Sequence, residues 1–242
     1  MEAKEMVGHL TELRRRLLIA AAWFLLMLVA GLYVSPHLLR YIQSQPAAVP
    51  IEWNVFGFTD GLAIYMKCAF VFAALFTLPV LMYQVWHFVR PGLTEEEARG
   101  TLLYVPASFV LFGIGLTFSY LVAFPMMVGF MKKLNGSIGA VETYGIDKYF
   151  TFLFHTVVPL GFAFEMPLVV LFLTRLGLLT PERLKATRKY AYVGLAVLGT
   201  CISPPDFVSH LSVTIPLILL FEVSTAVAGR YYRRRLSAVP TP

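Results

Sequence analysis

Charge is scarce in this chain. Of its 242 residues only 14% are charged, against about 25% in ordinary soluble domains. A soluble domain of this length buries a sizeable core, but its surface needs more charge than 20 basic and 14 acidic side chains provide. A soluble enzyme, a disordered chain and a collagen-like fibre are excluded on that ground. Cysteine is scarcer still. Cys68 and Cys201 lie in apolar stretches, too few for a disulfide scaffold and without metal-ligand spacing, so both are expected to be buried, inert thiols. Catalytic patterns are missing as well. The five histidines are scattered with no His-Glu-x-x-His. Gly136-Ser137-Ile138-Gly139 implies no strand-to-helix elbow, and in Ser209-His210 no third group orients the base. No enzyme activity, cofactor or metal site is expected.

What is present is apolar. Hydrophobic residues make up 58% of the chain, and the mean hydropathy is +0.71. The apolar residues run continuously instead of alternating, which argues against an outer-membrane barrel. The expected class is an all-α polytopic membrane protein. A helix needs about 20 apolar residues to cross the hydrocarbon layer. Stretches that fit run from Leu17 to Tyr33, Gly61 to Val89, Thr101 to Phe124 and Tyr149 to Leu176. Two shorter ones follow, Tyr190 to Ile202 and Leu211 to Ala228, divided by Ser203-Pro204-Pro205-Asp206, where consecutive prolines cannot continue a helix. Six spans are expected, the last two short, in a single domain over residues 1–242. The first is read as a retained helix and not a signal peptide, because its apolar run is long and no small-x-small cleavage site follows.

The basic residues set the direction. With the N-terminus inside, inner segments hold Lys4 and Arg14 to Arg16, then Arg90 and Arg99, then Arg175, Arg183, Lys185, Arg188 and Lys189, then Arg230 and Arg233 to Arg235. Outer loops hold only Arg40, Lys132, Lys133 and Lys148. That bias places both termini in the cytoplasm, in a bacterial-type inner membrane. It also accounts for the net charge of +6 without nucleic acid, for which no basic, aromatic-interleaved soluble segment exists.

The few polar residues are informative by position. Arg90 to Gly100 is the one inner segment with net negative charge, through Glu95, Glu96 and Glu97, and it favours a cationic ligand. Thr94 to Glu97 also has capping-box spacing. Glu12 precedes Arg16 by four residues, the spacing of a helix ion pair. Glu165 lies mid-span, where an ionised carboxylate costs at least about 2.5 kcal/mol on insertion scales and needs a cavity, a partner or a proton. Gln84 and Lys67 sit near opposite ends of the second span, and Glu222 lies in the last.

His9-Leu10-Thr11-Glu12-Leu13-Arg14-Arg15-Arg16 resembles the N-terminal His-Leu-x-Glu-Leu-Arg-x-Arg signature of the TatC family, the multi-spanning receptor of twin-arginine protein translocation. The resemblance continues through Gln84-Val85-Trp86-His87-Phe88-Val89-Arg90-Pro91-Gly92-Leu93, Phe118-Ser119-Tyr120 and Phe124-Pro125. Phe164-Glu165-Met166-Pro167, Ser203-Pro204-Pro205-Asp206 and Phe221-Glu222 extend it over nearly the whole chain. Ser203 stands where the family usually has Thr, and His210 where it usually has Gln, so no role is carried over to His210.

The resemblance implies six spans in a curved, concave arrangement, with Glu12, Arg14, Phe88, Pro91, Leu93 and Glu97 in the surface that recognises twin-arginine signal peptides of folded cargo. It implies TatA/TatB-type single-span partners near the last two spans, within a larger complex that contains further copies of this chain and is driven by the proton gradient. Glu165 offers a polar point for a partner helix or for local thinning of the surrounding membrane lipids. Asp147 and Asp206 are assigned to the outer, partner-facing side. The alternative is a proton- or ion-coupled small-molecule transporter with Glu165 and Lys67 as relay groups.

Overall fold

The computed structural model describes residues 2–44, 54–90, 95–139 and 143–237, without the side chains of 2–7, 9, 96–99 and 234–237. Pro91, Leu93 and Thr94, and the side chain of Glu97, therefore lie outside the described residues. The described chain is helical, with an isolated bridge between Asn54 and Gly145 as its β-pairing. Five stretches are long and apolar enough to cross a membrane: Leu10–Gln43, Asp60–Val89, Gly100–Ser137, Ile146–Arg175 and Phe207–Arg233.

Several helices outrun the apolar segments that predict them. Helix α1 covers Glu2–Gln43, 42 residues, about 63 Å at 1.5 Å per residue, twice the hydrocarbon thickness. Its charged first turns are rich in Glu, Lys, Leu and Arg, good helix formers that continue the helix beyond the apolar run. Helix α2 covers Asp60–Val89, and α3 Glu95–Leu102. The three acids begin a helix, as their capping-box spacing suggests, and carboxylates suit the positive end of its dipole.

Helix α4, Tyr104–Phe118, passes through a π-turn at Ser119–Ala123 into α5, Phe124–Ser137. Pro125 is the cause. It has no N–H to give back, and the wider turn, with Phe124 N–H reaching Ser119 O, absorbs the mismatch. The third span therefore runs well past Phe124. A proline also breaks the fourth. Helix α6, Ile146–Ala163, stops and α7, Met166–Arg175, starts anew, because Pro167 cannot continue the ladder. Glu165 occupies the break. Helices α8 (Pro181–Ala186), α9 (Arg188–Ile202) and α10 (Phe207–Ser237) follow. At the Pro204-Pro205 turn, Ser203 Oγ donates to Gly199 O at 2.9 Å and Asp206 Oδ1 caps α10 by accepting Ser209 N–H at 2.7 Å.

The chain groups into two compact units, Met1–Val110 with Gly145–Asp147, and Leu111–Tyr144 with Lys148–Pro242. In the first, α1 packs antiparallel on α2 through small residues. A Cβ on Gly31 would stand 2.8 Å from Ala69 O, so the backbones touch there. Ser35 Oγ donates to Gly31 O at 2.7 Å, and Trp23 Nε1 to Phe76 O at 3.2 Å, one turn before Pro79. In the second, Ala123, Met127, Leu160, Leu195, Val213, Leu217 and Phe221 form a core. Cys68 is buried as expected. Cys201 is exposed: α9 turns Leu195 and Gly199 inward, and the next residue but one points away.

Candidate functional site

A stripe of α1 at helical spacing, Gly8, Thr11, Glu12, Arg15, Arg16 and Ile19, lines a cavity of about 520 Å³ with His87 of α2. The Glu12–Arg16 pair suggested by the spacing is present, and Arg16 does more than complete it. Its Nε (3.2 Å) and its Nη2 both donate to Glu12 Oε1. Nη2 also donates to His87 Nδ1 at 2.9 Å, which leaves that ring's proton on Nε2, and Nη1 donates to Gln84 Oε1 at 3.4 Å. Gln84, singled out as a polar residue within the second span, is therefore a tertiary partner of Arg16. Arg14 is exposed and Phe88 half-buried.

The end of α2 is organised by aromatic contacts. Tyr83 stacks on Trp86 with centroids 5.7 Å apart, Trp86 meets His87 edge-on at 6.0 Å, and Arg90 lies 5.5 Å over the Trp86 ring. Trp86 Nε1 donates to Thr101 Oγ1 at 3.0 Å in buried surroundings, tying α2 to α3. The helix that starts with Glu95, Glu96 and Glu97 is thereby fastened to the same end of α2 that carries Gln84 and His87. The cavity itself is not acidic, since two arginines line it with one glutamate.

The other predicted residues fall elsewhere. Lys67 Nζ bonds Asp147 Oδ1 at 2.7 Å, at the opposite end of the first unit. Asp147 lies in the first turn of α6, not in a loop. Glu222 of α10 accepts from Arg188 Nη2 at 2.6 Å and from Tyr192 Oη at 2.5 Å, closing a triad between α9 and α10. Asp206 serves as the cap of α10, with its Oδ2 buried and unpartnered. Glu165 is 6% exposed, and neither carboxylate oxygen has a hydrogen-bond partner among the described residues. His87, Trp86, Arg188 and Tyr192 carry no individual role in the sequence reading, and Arg16 enters it only as a partner of Glu12. Only Arg16 carried a local signal, its i,i+4 spacing to Glu12.

A profile of the family described as "Sec-independent protein translocase protein (TatC)" matches residues 8–216. The chain belongs to the TatC family. A TatC protein of Halalkalibacterium halodurans is 44% identical over 229 residues, covering 95% of this chain and 90% of the relative. TatCy of Bacillus subtilis is 42% identical over the same length and shares. A crystal structure titled "Twin Arginine Translocase Receptor- TatC" superposes with a TM-score of 0.81 at 31% identity, covering 93% of this chain and all of that one. Family membership makes this a multi-pass inner-membrane component of a protein translocase, a non-enzymatic transport family that works in a membrane complex.

Proposed function

We propose that this chain is the receptor subunit of the twin-arginine translocase, docking the signal peptides of folded cargo on the end of α1 and α2 that carries Glu12. The observation that carries the proposal is the fastening of the acid-rich α3 to α2 through Trp86 and Thr101, beside the Glu12 cavity. Guanidinium groups ask for carboxylates in bidentate, charge-assisted geometry. Glu12 and Glu97 are the acceptors, with Arg14, Phe88, Pro91 and Leu93 shaping the surface. That end faces the cytoplasm, with both termini, as the loop charges favour. Helix α9, 15 residues long, is the short fifth of six spans. The family match from residue 8 to 216 runs through both compact units and supports one domain.

The sixth span, expected to be short, is the long α10; TatA/TatB-type subunits associate with the short fifth span and with Glu165, whose carboxylate, unpartnered among the described residues, suits a polar group from another helix. Further copies of this chain join the same assembly, and the proton gradient drives export. The rival transporter reading loses a relay group, because Lys67 is held by Asp147. Site-specific crosslinking of a twin-arginine peptide to positions around Glu12 and Glu97 tests docking. Glu97→Gln should greatly weaken the crosslink while membrane insertion stays intact; an unchanged crosslink removes Glu97 from the site.

A further inference from the structure

We propose that Arg16 is a built-in competitor for Glu12, an internal guanidinium that holds the carboxylate at rest and yields it to an arginine of the docking peptide. The proposal rests on the docking function above and adds to it the residue that sets its affinity. At rest the cavity is poorly suited to two cations. Arg15 and Arg16 line it against a single glutamate, and that glutamate is already bonded. Arg16 places Nε and Nη2 on one oxygen, Oε1, using the edge of the guanidinium that a peptide arginine would also present. The side chain of Glu12 is 38% exposed and that of Arg16 14%, so a ligand in the cavity reaches the carboxylate before the arginine behind it.

What makes the exchange feasible is the far side of Arg16. Gln84 Oε1 and His87 Nδ1 accept from Nη1 and Nη2, so Arg16 keeps two acceptors on α2 when it gives up Glu12. Stranding a half-buried charge without hydrogen-bond partners would be costly; here Arg16 keeps two neutral acceptors, of which His87 at 2.9 Å is the nearer. A peptide lysine, with its single ammonium, cannot reproduce the two bonds to Oε1. The free energy needed to open the pair is subtracted from every docking event. Affinity is lowered and release is faster, which suits a ligand that must be passed on.

The test uses the full-length protein in nanodiscs and a fluorescent peptide with adjacent arginines. Arg16→Gln should tighten binding by about two- to fivefold, the range expected for opening a helix ion pair that is partly shielded from water, with most of the change in the dissociation rate. Arg16→Lys keeps the charge but loses the fork, and should tighten binding by a smaller factor; it decides the matter if Arg16→Gln fails to fold. Arg15→Gln removes the same charge from the same cavity without touching Glu12 and controls for simple electrostatics. In a Glu12→Gln background the Arg16→Gln effect should fall to the size of that of Arg15→Gln, its excess being lost with the pair. Weaker or unchanged peptide binding in both Arg16 variants, or an effect no larger than that of Arg15→Gln where Glu12 is present, overturns the competitor role and leaves docking standing. Failure of the wild-type chain to bind the peptide at all overturns the docking function itself.

Discussion

Glu165 offers the sharpest test of how the second unit is built. The residue is 6% exposed, and neither carboxylate oxygen is hydrogen-bonded among the described residues. A buried polar group left unpaired costs about 1–3 kcal/mol. The N-terminus of α7 returns part of that, because Glu165 precedes its first turn and the helix dipole favours an acid there by about 0.3–1 kcal/mol. Glu165→Met keeps the length of the side chain and removes the polar oxygens, so it should stabilise the protein by roughly 1–2 kcal/mol. For a chain of this size each kcal/mol moves the melting temperature by roughly 2–4 °C. Purified wild-type, Glu165→Met and Glu165→Gln proteins would be compared in one detergent by thermal unfolding followed through tryptophan fluorescence. The methionine variant should melt several degrees higher, and the glutamine variant, whose amide is equally unpartnered, near the wild type. Export should fall in both if the carboxylate meets a partner helix as proposed, an exchange of stability for activity. A methionine variant that melts lower than wild type would refute the reasoning, since it would mean that the carboxylate has a partner inside the fold.

Two further outcomes follow from the packing. Gly31→Ala places a methyl group 2.8 Å from the backbone oxygen of Ala69, which cannot rotate away, whereas Gly161→Ala meets the end of the Leu116 side chain at 2.8 Å, which can; Gly31→Ala should cost about 1–3 kcal/mol as overpacking and Gly161→Ala clearly less, read as relative melting temperatures. A double-mutant cycle on Lys67 and Asp147, both about 30% exposed at 31% and 27%, should give a coupling near 1 kcal/mol, and additivity would show the pair to be inert.

Local chemistry was legible in the residues, and tertiary partnership was not. The spacing of Glu12 and Arg16 announced an ion pair four residues apart, and the pair is there. Nothing nearby in the chain announced that Gln84 and His87, 68 and 71 residues away from Arg16, would complete its cradle. Helix ends went the same way. Apolar runs mark where a helix lies in lipid, not where it stops, so α1 and α10 extend beyond their apolar segments on side chains that favour helix in water. Prolines mark breaks only when their context is known. Pro36, Pro79, Pro159 and Pro216 all sit inside continuous helices, while Pro125 forces a π-turn and Pro167 ends one helix and begins another. What separates them is whether neighbouring groups can satisfy the backbone that the ring leaves free. Pro79 frees the carbonyl of Leu75, Trp23 donates to the adjoining carbonyl of Phe76, and α2 continues. At the Pro167 break the N-cap residue of α7 is Glu165, and its side chain makes no cap bond. The same proline that interrupts the span thus leaves a buried carboxylate at the break, the point at which a partner helix is proposed to dock.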